Sequence, residues 1–457
     1  MMSNEVVEYL KKNYDRNLES LKEFLSIPSV STDPGHQEDV KDAASFVLNY
    51  LKKSGFKKTE VIETEGHPLV FAEWLGAGED APTMLFYGHY DVQPAEPLEQ
   101  WKSKPFEADI REGRIYARGA SDDKGQVFMH LAVLEAFLQT HGELPINVKV
   151  CIEGEEEIGS EHLYNLLQKR KEQFNADFAV ISDSGMVKTG QPTILYGLKG
   201  FTGLEFTLTG PDNDLHSGIY GGAIKNPAMA MSHLLSSLKN EEEVVTIDGF
   251  YDDVEALDEE ERKLIKEAPS EDFKLSTGAP EVISEKGYTA QEHTMARPTL
   301  EINGLYSGYQ GEGTKTIIPS FATAKLTCRL VPGQDPQTIQ DLLVRHLEEH
   351  VPAGVNLEIK REALSAKAYK VNPDHPLMQI AAKSYQESFD KDVVFVRMGG
   401  SIPVVEWIDS IYNMPIVLLG FGTPEDRLHS PNESFPLNNY EKGMETIVHF
   451  ISNVKMS

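Results

Sequence analysis

Apolar residues recur near the helical period in two segments at the start of the chain. Over roughly residues 4–26 the recurring apolar positions are Val7, Leu10, Leu18, Leu21 and Leu25. A second pattern runs from Val40 to Leu51, and Gly55 follows it. Because glycine commonly occupies the position just past a helix end, we expect this second helix to stop there. The spacing therefore predicts one amphipathic helix in each segment.

Short apolar runs come next, at 83–87 (TMLFY), 146–152 (INVKVCI), 178–181 (FAVI) and 416–419 (IVLL). They alternate with helical stretches such as 126–138, which is typical of buried strands in an α/β sheet. A polar segment directly follows each run: GHYD, EGEEE, SD and GFGTPEDRLHS. Since ligands of open α/β sheets bind beyond the carboxyl ends of the strands, we expect a binding site at this edge.

The middle of the chain has a different pattern, with predicted strands at 203–208, 323–330 and 355–361 and predicted helices at 226–238 and 336–350. The order strand–helix–strand–strand–helix–strand indicates a ferredoxin-like unit inserted into the chain. We expect a catalytic domain in two parts, 1–191 and 367–457, around an inserted domain at 192–366. An acidic stretch within it, 241–287, is predicted to be a solvated helix and loop rather than a functional patch.

Composition and charge narrow the class of protein. The chain has 457 residues, more than one domain usually holds, and 43 Lys+Arg against 72 Asp+Glu give a net charge of −29. This acidity argues against binding nucleic acid or an acidic membrane surface. No apolar run is long enough to span a membrane, and the first residues do not resemble a signal peptide. The two cysteines, Cys151 and Cys328, fit a reducing compartment and are expected to be buried apolar residues rather than nucleophiles. We expect a soluble cytoplasmic protein.

The polar segments contain histidines and carboxylates, which are metal ligands. Taken singly, each has a structural interpretation: Asp122 and Asp123 could cap the following helix, and the glutamates of EGEEE could form a solvated turn. Taken together, so many buried carboxylates would cost several kcal/mol per unpaired charge without cations. A two-metal site with one bridging carboxylate needs about five protein ligands. The available set is His89, Asp122, Glu157, Asp183 and His429. One further acid beside them could act as a general base.

Ten motifs occur in order along nearly the whole chain: GHYDVQP, Trp101, ARGASDDKG, EGEEEIGS, ISD, YGLKG, DLHSGIYGG, TKTIIP, CRLVP and GGSIP, with HSPNE near the end. In these motifs the sequence resembles the di-metal aminoacylase/carnosinase/glutamate-carboxypeptidase family of metallopeptidases, and in particular its cytosolic dipeptidase branch. The resemblance implies an α/β/α catalytic domain with a mixed central sheet, and an inserted ferredoxin-like α+β domain that acts as lid and dimerisation domain.

The resemblance also implies roles at the metal centre. Asp122 would bridge two divalent ions, zinc or manganese. His89 and Asp183 would complete one site, and Glu157 and His429 the other. Glu156 would be the general base, and Asp91 would hold His89 by its second nitrogen. A cis peptide between Asp122 and Asp123 is expected as well. The three glutamates of GEEEIGS leave the register open by one position, although the following Gly159–Ser160 favours Glu156 and Glu157.

By the same resemblance the inserted domain completes the site. Arg329 would pair with the substrate carboxylate, which its guanidinium can bind in a bidentate manner. His216 would stabilise the oxyanion. Hydrogen bonds to the substrate are expected from Thr316, Gly400 and Ser401, and His375 is a weaker candidate. The family pairs through this domain, so we expect a homodimer in which His216 reaches the partner's site. The alternative is that His216 closes over the site of its own chain.

The expected activity is metal-dependent hydrolysis of the peptide bond in dipeptides or very short peptides by a metal-activated water, with Glu156 as general base. An N-acyl-amino-acid deacylase or amidohydrolase is the alternative that the residues leave open. A non-catalytic protein on the same frame would have lost a ligand or the base, and all six positions are present.

Overall fold

The structure is a computed structural model that describes residues 2–269 and 272–455. The strands are β1 (Lys58–Ile62), β2 (Leu69–Trp74), β3 (Thr83–His89), β4 (Asp109–Arg111), β5 (Arg114–Tyr116), β6 (Asn147–Glu153), β7 (Phe178–Ile181), β8 (Thr193–Leu198), β9 (Gly200–Thr209), β10 (Leu215–His216), β11 (Thr299–Ser307), β12 (Ile317–Ile318), β13 (Phe321–Leu330), β14 (Asn356–Arg361), β15 (Tyr369–Lys370), β16 (Val394–Met398), β17 (Ile416–Leu418) and β18 (Ser434–Pro436).

The helices are α1 (Met2–Lys12), α2 (Tyr14–Leu25), α3 (Gln37–Ser54), α4 (Lys124–His141), α5 (Leu163–Lys169), α6 (Lys171–Phe174), α7 (Ser217–Tyr220), α8 (Pro227–Ser236), α9 (Glu259–Glu267), α10 (Phe273–Thr277), α11 (Ala290–Ala296), α12 (Pro336–His350), α13 (Pro376–Phe389), α14 (Pro403–Tyr412) and α15 (Leu437–Lys455). Short 3-10 turns cover Pro34–His36, Leu98–Gln100, Glu156–Ile158 and Pro424–Asp426.

The described residues form two compact units. The first unit contains residues 2–196, Val371–Val396 and residues 407–455, and the second contains Gly197–Lys370 and Arg397–Glu406. The sequence analysis placed Arg397–Glu406 in the second part of the catalytic domain. In the structure this segment belongs to the second unit, where Arg397 pairs with Glu261 and Ser401 accepts a hydrogen bond from Arg329.

The central sheet of the first unit is mixed, as predicted. Its strand order begins β1-β2-β6-β3-β7-β17-β8. β3 runs parallel to β6 and β7, and β17 runs parallel to β7, whereas β2 is antiparallel to β6. The predicted strands at 83–87, 146–152, 178–181 and 416–419 are confirmed as β3, β6, β7 and β17. Their carboxyl ends consequently point to the same edge of the sheet.

Helices cover both faces of this sheet. Alternate residues of β2 show the division: Val70 and Ala72 belong to the main apolar core with α4, whereas the Phe71 ring packs edge-on against Phe174 of α6. α4 lies deep in the core, because every residue from Lys124 to Leu134 is buried. A helix that is apolar on all sides has to be surrounded by other elements. The α/β/α arrangement expected from the family resemblance is therefore confirmed.

The opening helices differ from the prediction in one respect. The second helix ends as expected, since Gly55 has a left-handed conformation with φ of 118° after α3. The single helix predicted over residues 4–26 is wrong, because the segment forms α1 and α2 with a break at Asn13. The Asn13 side chain donates a hydrogen bond to the Tyr9 carbonyl oxygen at 2.8 Å. Asparagine competes for backbone groups in this way and weakens helix continuity.

The second unit contains a four-stranded antiparallel sheet in the order β11-β13-β9-β14. Helices α8 and α12 supply Leu234 and Leu343 to its own apolar core, together with Leu326 of β13. The chain order β9–α8–β11–β13–α12–β14 confirms the ferredoxin-like unit. β11, whose position the apolar pattern did not locate, lies at the end of the strand order and leaves most of its side chains exposed.

The acidic stretch at 241–287 is only partly the solvated segment that the sequence analysis predicted. α9 does expose Glu259 and Glu260. The prediction is wrong for Glu261 and Glu285, which are 8% and 5% exposed. Each forms an ion pair with a buried arginine of the second unit, and burial of these carboxylates is possible only because of that pairing. Within the described part of the chain, no helix combines the length and apolar character needed to cross a bilayer.

Candidate metal centre

The candidate ligands of the first unit meet at the carboxyl edge of the central sheet. His89 is the last residue of β3, and Asp183 follows β7 by two residues. Glu157 lies in the 3-10 turn after β6, and Asp122 lies just before α4. His429 belongs to the loop between β17 and β18. The parallel pairing of the strands explains why residues so far apart in the chain lie together.

Two groups of side chains share the Asp122 carboxylate. His89 Nε2 lies 3.2 Å from Asp122 Oδ1 and 4.0 Å from Asp183 Oδ2. His429 Nε2 lies 2.9 Å from Asp122 Oδ2 and 3.4 Å from Glu157 Oε2. In each group of three, the possible ligand atoms all lie within 4.8 Å of one another. The structure thus brings together all five residues that the sequence analysis named as metal ligands.

Asp91 connects the histidine of one group to the glutamates of the other. Its side chain is fully buried, and its Oδ1 lies 3.4 Å from His89 Nδ1. The same carboxylate accepts hydrogen bonds from the backbone N–H groups of Glu156 at 3.3 Å and Glu157 at 3.1 Å. His89 Nδ1 also lies 3.1 Å from the Asp91 carbonyl oxygen. Asp91 can therefore orient both the imidazole and the glutamate turn.

The protonation behaviour of these groups reflects crowding of negative charge. Burial, with repulsion from Asp122, raises the pKa of Glu157 to about 8 and that of Asp183 to about 6. Burial also raises the pKa of Glu156 well above its usual range. Asp122 differs because hydrogen bonds from His429 and His89 outweigh its burial and lower its pKa. The acids beside Asp122 therefore resist ionisation together unless positive charge is present.

This donor set fits two divalent metal ions. The ligand atoms are imidazole nitrogens and carboxylate oxygens, and neither group of three contains a sulfur. Such ligands suit zinc and also manganese. Cations at these positions would offset the repulsion that raises the carboxyl pKa values. We therefore regard the two groups as a candidate two-metal centre with Asp122 between the ions.

Comparisons with known proteins agree with this geometry. The sequence model described as peptidase family M20/M25/M40 matches residues 85–453. The chain belongs to this family. The resemblance to di-metal peptidases that the motifs indicated is thereby confirmed, and this M20 chain is a metallopeptidase by family.

Individual relatives align over nearly the full chain. The Cys-Gly metallodipeptidase dug1 of Schizosaccharomyces pombe is 31% identical over 477 residues, covering 99% of each protein. The human beta-Ala-His dipeptidase is 29% identical over 463 residues, covering 97% of this chain and 91% of the relative. Among solved structures, the M20 family metallo-carboxypeptidase Sso-CP2 from Sulfolobus solfataricus gives a TM-score of 0.85 at 33% identity, over 96% of this chain and 99% of that one.

The structure bears on two alternatives that the motifs left open in this M20 chain. In GEEEIGS, the Glu155 side chain turns away to His162, at 2.9 Å, and accepts a hydrogen bond from the His67 backbone N–H at 3.1 Å. This leaves Glu156 and Glu157 beside the histidines. Asp123 makes no side-chain cap to α4 among the described residues, so helix capping does not explain the Asp122–Asp123 pair. The peptide between the two is cis, as expected.

Glu433 is a residue that the sequence analysis did not single out. It is fully buried, and its Oε1 accepts hydrogen bonds from the backbone N–H groups of Ser121 at 3.0 Å and Asp122 at 3.1 Å. Its Oε2 accepts from the Gly119 backbone N–H at 3.0 Å and from Arg118 at 2.7 Å. The carboxylate therefore holds the turn that presents Asp122. The glutamate of the HSPNE motif could have indicated this role, but its partners lie more than 300 residues away in the sequence.

The second unit brings together three of the predicted substrate-binding residues. Arg329 donates from Nη1 to Ser401 Oγ at 3.0 Å. Ser401 Oγ in turn donates to the Lys199 carbonyl oxygen, and the Lys199 backbone N–H donates to the Gly400 carbonyl oxygen at 3.1 Å. Burial lowers the pKa of Arg329. Arg329, Gly400 and Ser401 thus form one hydrogen-bonded cluster.

The remaining predicted residues lie elsewhere. In the second unit, His216 of β10 is exposed, and its Nδ1 accepts a hydrogen bond from the Gly218 backbone N–H at 3.1 Å. The next residue, Ser217, donates its backbone N–H to the Thr316 carbonyl oxygen, so His216 and Thr316 are neighbours. In the first unit, His375 stands at the N-terminus of α13 and accepts from the Leu377 backbone N–H at 3.3 Å. The roles of all three stay predictions.

Replacing Glu156 and Glu157 one at a time separates their roles. We expect Glu156→Gln to keep both metal ions while hydrolysis falls by about 10² to 10⁴, because a positioned base contributes that much. Glu157→Gln should lose metal, since an amide is a weaker ligand than a carboxylate. Metal content by mass spectrometry and hydrolysis rate, measured on the same samples, check both. Metal loss from Glu156→Gln with retention in Glu157→Gln would reverse the assignment.

Replacing Glu433 tests whether the turn around Asp122 depends on it. Glu433→Gln keeps the shape but offers an amide group to Arg118 or to the backbone N–H donors, so we expect metal affinity to fall roughly 10- to 100-fold. Competition with a chelating indicator measures this affinity. Glu425→Gln is the control, since Glu425 is an exposed carboxylate of the same loop. Wild-type metal affinity in a folded Glu433→Gln protein would show that the turn is held by other contacts.

Proposed function

We propose that this chain hydrolyses the peptide bond of dipeptides and very short peptides with the help of two divalent metal ions. The observation that carries the proposal is the pair of ligand groups that share Asp122 beside Glu156. The relatives add support, because they are named as Cys-Gly and beta-Ala-His dipeptidases and align over almost the whole chain.

The proposed ligands are His89, Asp122 and Asp183 for one ion, and Asp122, Glu157 and His429 for the other. Metal ions at such sites polarise a peptide carbonyl and lower the pKa of water, so that the attack on the carbonyl can occur at neutral pH. Zinc and manganese both suit one histidine with carboxylates at each ion. We propose one of these two as the working metal.

Glu156 is the proposed proton carrier. Its backbone N–H is held by Asp91 at 3.3 Å, and its carboxyl pKa is raised by burial with added repulsion from Asp183 and Glu157. A carboxylate fixed beside the two ligand groups is placed to accept a proton from water and to release it again. Its carboxylate oxygen would take one proton from the attacking water and deliver it to the nitrogen of the leaving amine. One water molecule and one peptide bond thus yield a carboxylic acid and an amine.

Arg329 is the proposed anchor of the substrate carboxylate. Its guanidinium can donate two parallel hydrogen bonds, a geometry that lysine does not offer. Ser401 and Gly400 lie in the same hydrogen-bonded cluster, which supports a shared role. We further propose His216 as a donor to the developing oxyanion, Thr316 as a substrate hydrogen-bond partner, and His375 as a weaker candidate for such contacts.

The dipeptidase is favoured over the N-acyl-amino-acid deacylase that the motifs left open. Relatives that align with nearly the whole chain carry dipeptidase names. Both reactions cleave an amide bond, so the distinction lies in the group on the acyl side of the substrate. A free α-amino group marks a dipeptide, whereas an acetyl group marks the other class. We propose a cytoplasmic location, supported by only two cysteines in 457 residues.

A homodimer through the inserted domain is the proposed assembly. The edge strand β11 exposes Ile302, Leu305 and Tyr306, which are 47%, 62% and 51% exposed. Edge strands with apolar side chains are prone to pair with another copy. In such a dimer His216 would serve the partner's metal centre, and the alternative is that it closes over its own.

A substrate and metal panel tests the proposed activity. Chelated protein should be inactive, and zinc or manganese should restore hydrolysis of plain dipeptides such as Cys-Gly. An N-acetyl amino acid should be cleaved at least about tenfold more slowly, because leaving a buried polar group without its partner costs about 1–3 kcal/mol. Product amino acids are counted by chromatography. Faster release from the N-acetyl compound, or unchanged activity after chelation, would contradict the proposal.

Mixing two inactive variants tests the assembly. Glu156→Gln and His216→Ala proteins are combined under conditions that permit subunit exchange. If His216 acts in the partner's site, a mixed dimer contains one site with both residues intact, and partial activity should return. Each variant alone is the control. Background activity after exchange has been confirmed by mass spectrometry would assign His216 to its own chain.

A further inference from the structure

The loop that carries Gly400 and Ser401 is held by the backbone of Lys199. The Lys199 backbone N–H donates to the carbonyl oxygens of Met398 at 3.2 Å and Gly400 at 3.1 Å. The Lys199 carbonyl oxygen accepts from Ser401 Oγ, and the same hydroxyl accepts from Arg329 Nη1 at 3.0 Å. Any shift of residues 398–401, called the GGS loop here, therefore moves the hydroxyl that orients the Arg329 guanidinium.

Arg397 comes just before the GGS loop and is held in place by Glu261 of the acidic stretch. Arg397 Nη1 lies 2.8 Å from Glu261 Oε1, and the two side chains are 5% and 10% exposed. Glu261 Oε2 also accepts from Lys370 Nζ at 3.1 Å. The Glu261 backbone N–H is bound by the Asp258 carboxylate at 2.7 Å, which begins α9. Because an unpaired buried arginine is strongly unfavourable, Arg397 depends on Glu261 for its position.

α11 contacts the same loop from a second direction. Lys199 Nζ donates to the His293 carbonyl oxygen at 3.0 Å. A side chain at Gly399 would place its Cβ 2.9 Å from the Thr294 carbonyl oxygen, so the helix and the loop are in close contact. Arg297, at the end of α11, forms a bidentate pair with Glu285 at 2.9 and 2.6 Å. The acidic stretch thus stabilises the surroundings of the GGS loop through two buried carboxylates.

The charges around the loop favour an anionic ligand. Burial, and then the neighbouring Arg397, Arg329 and Arg297, lower the pKa of Lys199 to about 7. Glu261 pairs with Arg397 and Glu285 pairs with Arg297. For Arg329, the hydrogen bond to Ser401 leaves most of its donors available to a ligand. A carboxylate arriving at this guanidinium would balance part of the positive charge.

We propose that Glu261 is a positioning residue for substrate recognition: through Arg397 it fixes the GGS loop, and thereby the Ser401–Arg329 pair, in the arrangement that binds the free carboxylate of a short peptide. The proposal rests on the proposed function, because it takes that carboxylate as the ligand of Arg329. Glu261 of the acidic stretch would thus contribute to substrate specificity, whereas the sequence predicts only a solvated segment there.

The test compares a free dipeptide with the same dipeptide amidated at its C-terminus. Glu261→Gln keeps the shape of the side chain but removes the charge that holds Arg397. We expect a rise in KM of roughly 10- to 100-fold for the free dipeptide, the scale of a misplaced contact, with kcat nearly unchanged. For the amide the change should stay below about threefold, because no carboxylate is lost.

Controls separate positioning from general destabilisation. Glu260→Gln changes an exposed neighbour on α9 and should behave as the wild-type protein. Arg329→Lys removes the planar fork directly and provides the reference loss. In the double variant Glu261→Gln/Arg329→Lys the two losses should not add, because both act on one contact. Glu261→Asp, which retains the charge, serves as the second variant if Glu261→Gln does not fold.

Binding measured by calorimetry makes the test independent of hydrolysis. If the wild-type protein binds the free dipeptide more tightly than the amide but cleaves neither, the proposed activity is wrong while the role of Glu261 can still be measured by Kd. Equal losses on both substrates, additive losses in the double variant, or unchanged KM and Kd in folded Glu261→Gln protein would each overturn the proposal.

Discussion

The Asp122 carboxylate faces a histidine on each of its oxygens, and the rest of the centre is arranged around this shared group. Its neighbours Asp183, Glu156 and Glu157 are acids whose pKa values are raised by burial with repulsion from nearby carboxylates. A fold that collects so many acids at one sheet edge needs compensating cations there. Two divalent ions would satisfy this requirement, and the acids would then serve as ligands.

Two further buried carboxylates, Glu433 and Asp91, hold the candidate ligands in position. The proposed bridging role of Asp122 requires its carboxylate to be presented at a fixed angle, and Glu433 binds the backbone on the N-terminal side of Asp122 through both of its oxygens. The Glu433 charge is itself balanced by Arg118, which is 1% exposed. Asp91 acts similarly on His89 and on the turn that contains Glu157. The buried charges of Glu433 and Asp91 beside the candidate ligands are therefore paired.

The second unit uses buried ion pairs for a different purpose. Glu261 and Glu285 lie in a segment whose composition is that of a solvated helix, yet both pair with arginines beside the GGS loop. Buried pairs contribute little net stability, because desolvation offsets most of the attraction. Their value lies in geometry, since each pair permits few arrangements. This explains why the acidic stretch lies beside the cluster of Arg329 and Ser401, although the proposed ligand of that cluster, a carboxylate, is negatively charged as well.

Much of the architecture could be predicted from local pattern. The four buried strands, the end of α3 at Gly55 and the ferredoxin-like order all follow from apolar spacing and glycine chemistry. The ligand set could be named because each candidate follows a strand that ends at one edge. Its members do lie together in the structure, while their individual roles stay predictions.

What could not be predicted depends on distant partners. Glu261 is buried because it pairs with Arg397. That arginine lies 136 residues further along the chain, and no local pattern indicates the pairing. The same is true of Glu433 and Arg118, which are 315 residues apart. The position of β11 escaped the apolar pattern for another reason. Residues 300–303 alternate between apolar and polar, but the alternation breaks at Gly304, where the register with β13 shifts, and the apolar Leu305 and Tyr306 then follow as neighbours.

The most direct measurement counts metal ions while activity returns. Chelated protein is titrated with zinc and with manganese, and bound ions per chain are determined alongside the rate of dipeptide hydrolysis. We expect two ions to bind per chain and hydrolysis to require them, and we expect Asp122→Asn to weaken both binding steps because both ions would share this carboxylate. Binding of a single ion at full activity, or loss of only one site in Asp122→Asn, would contradict the two-metal centre.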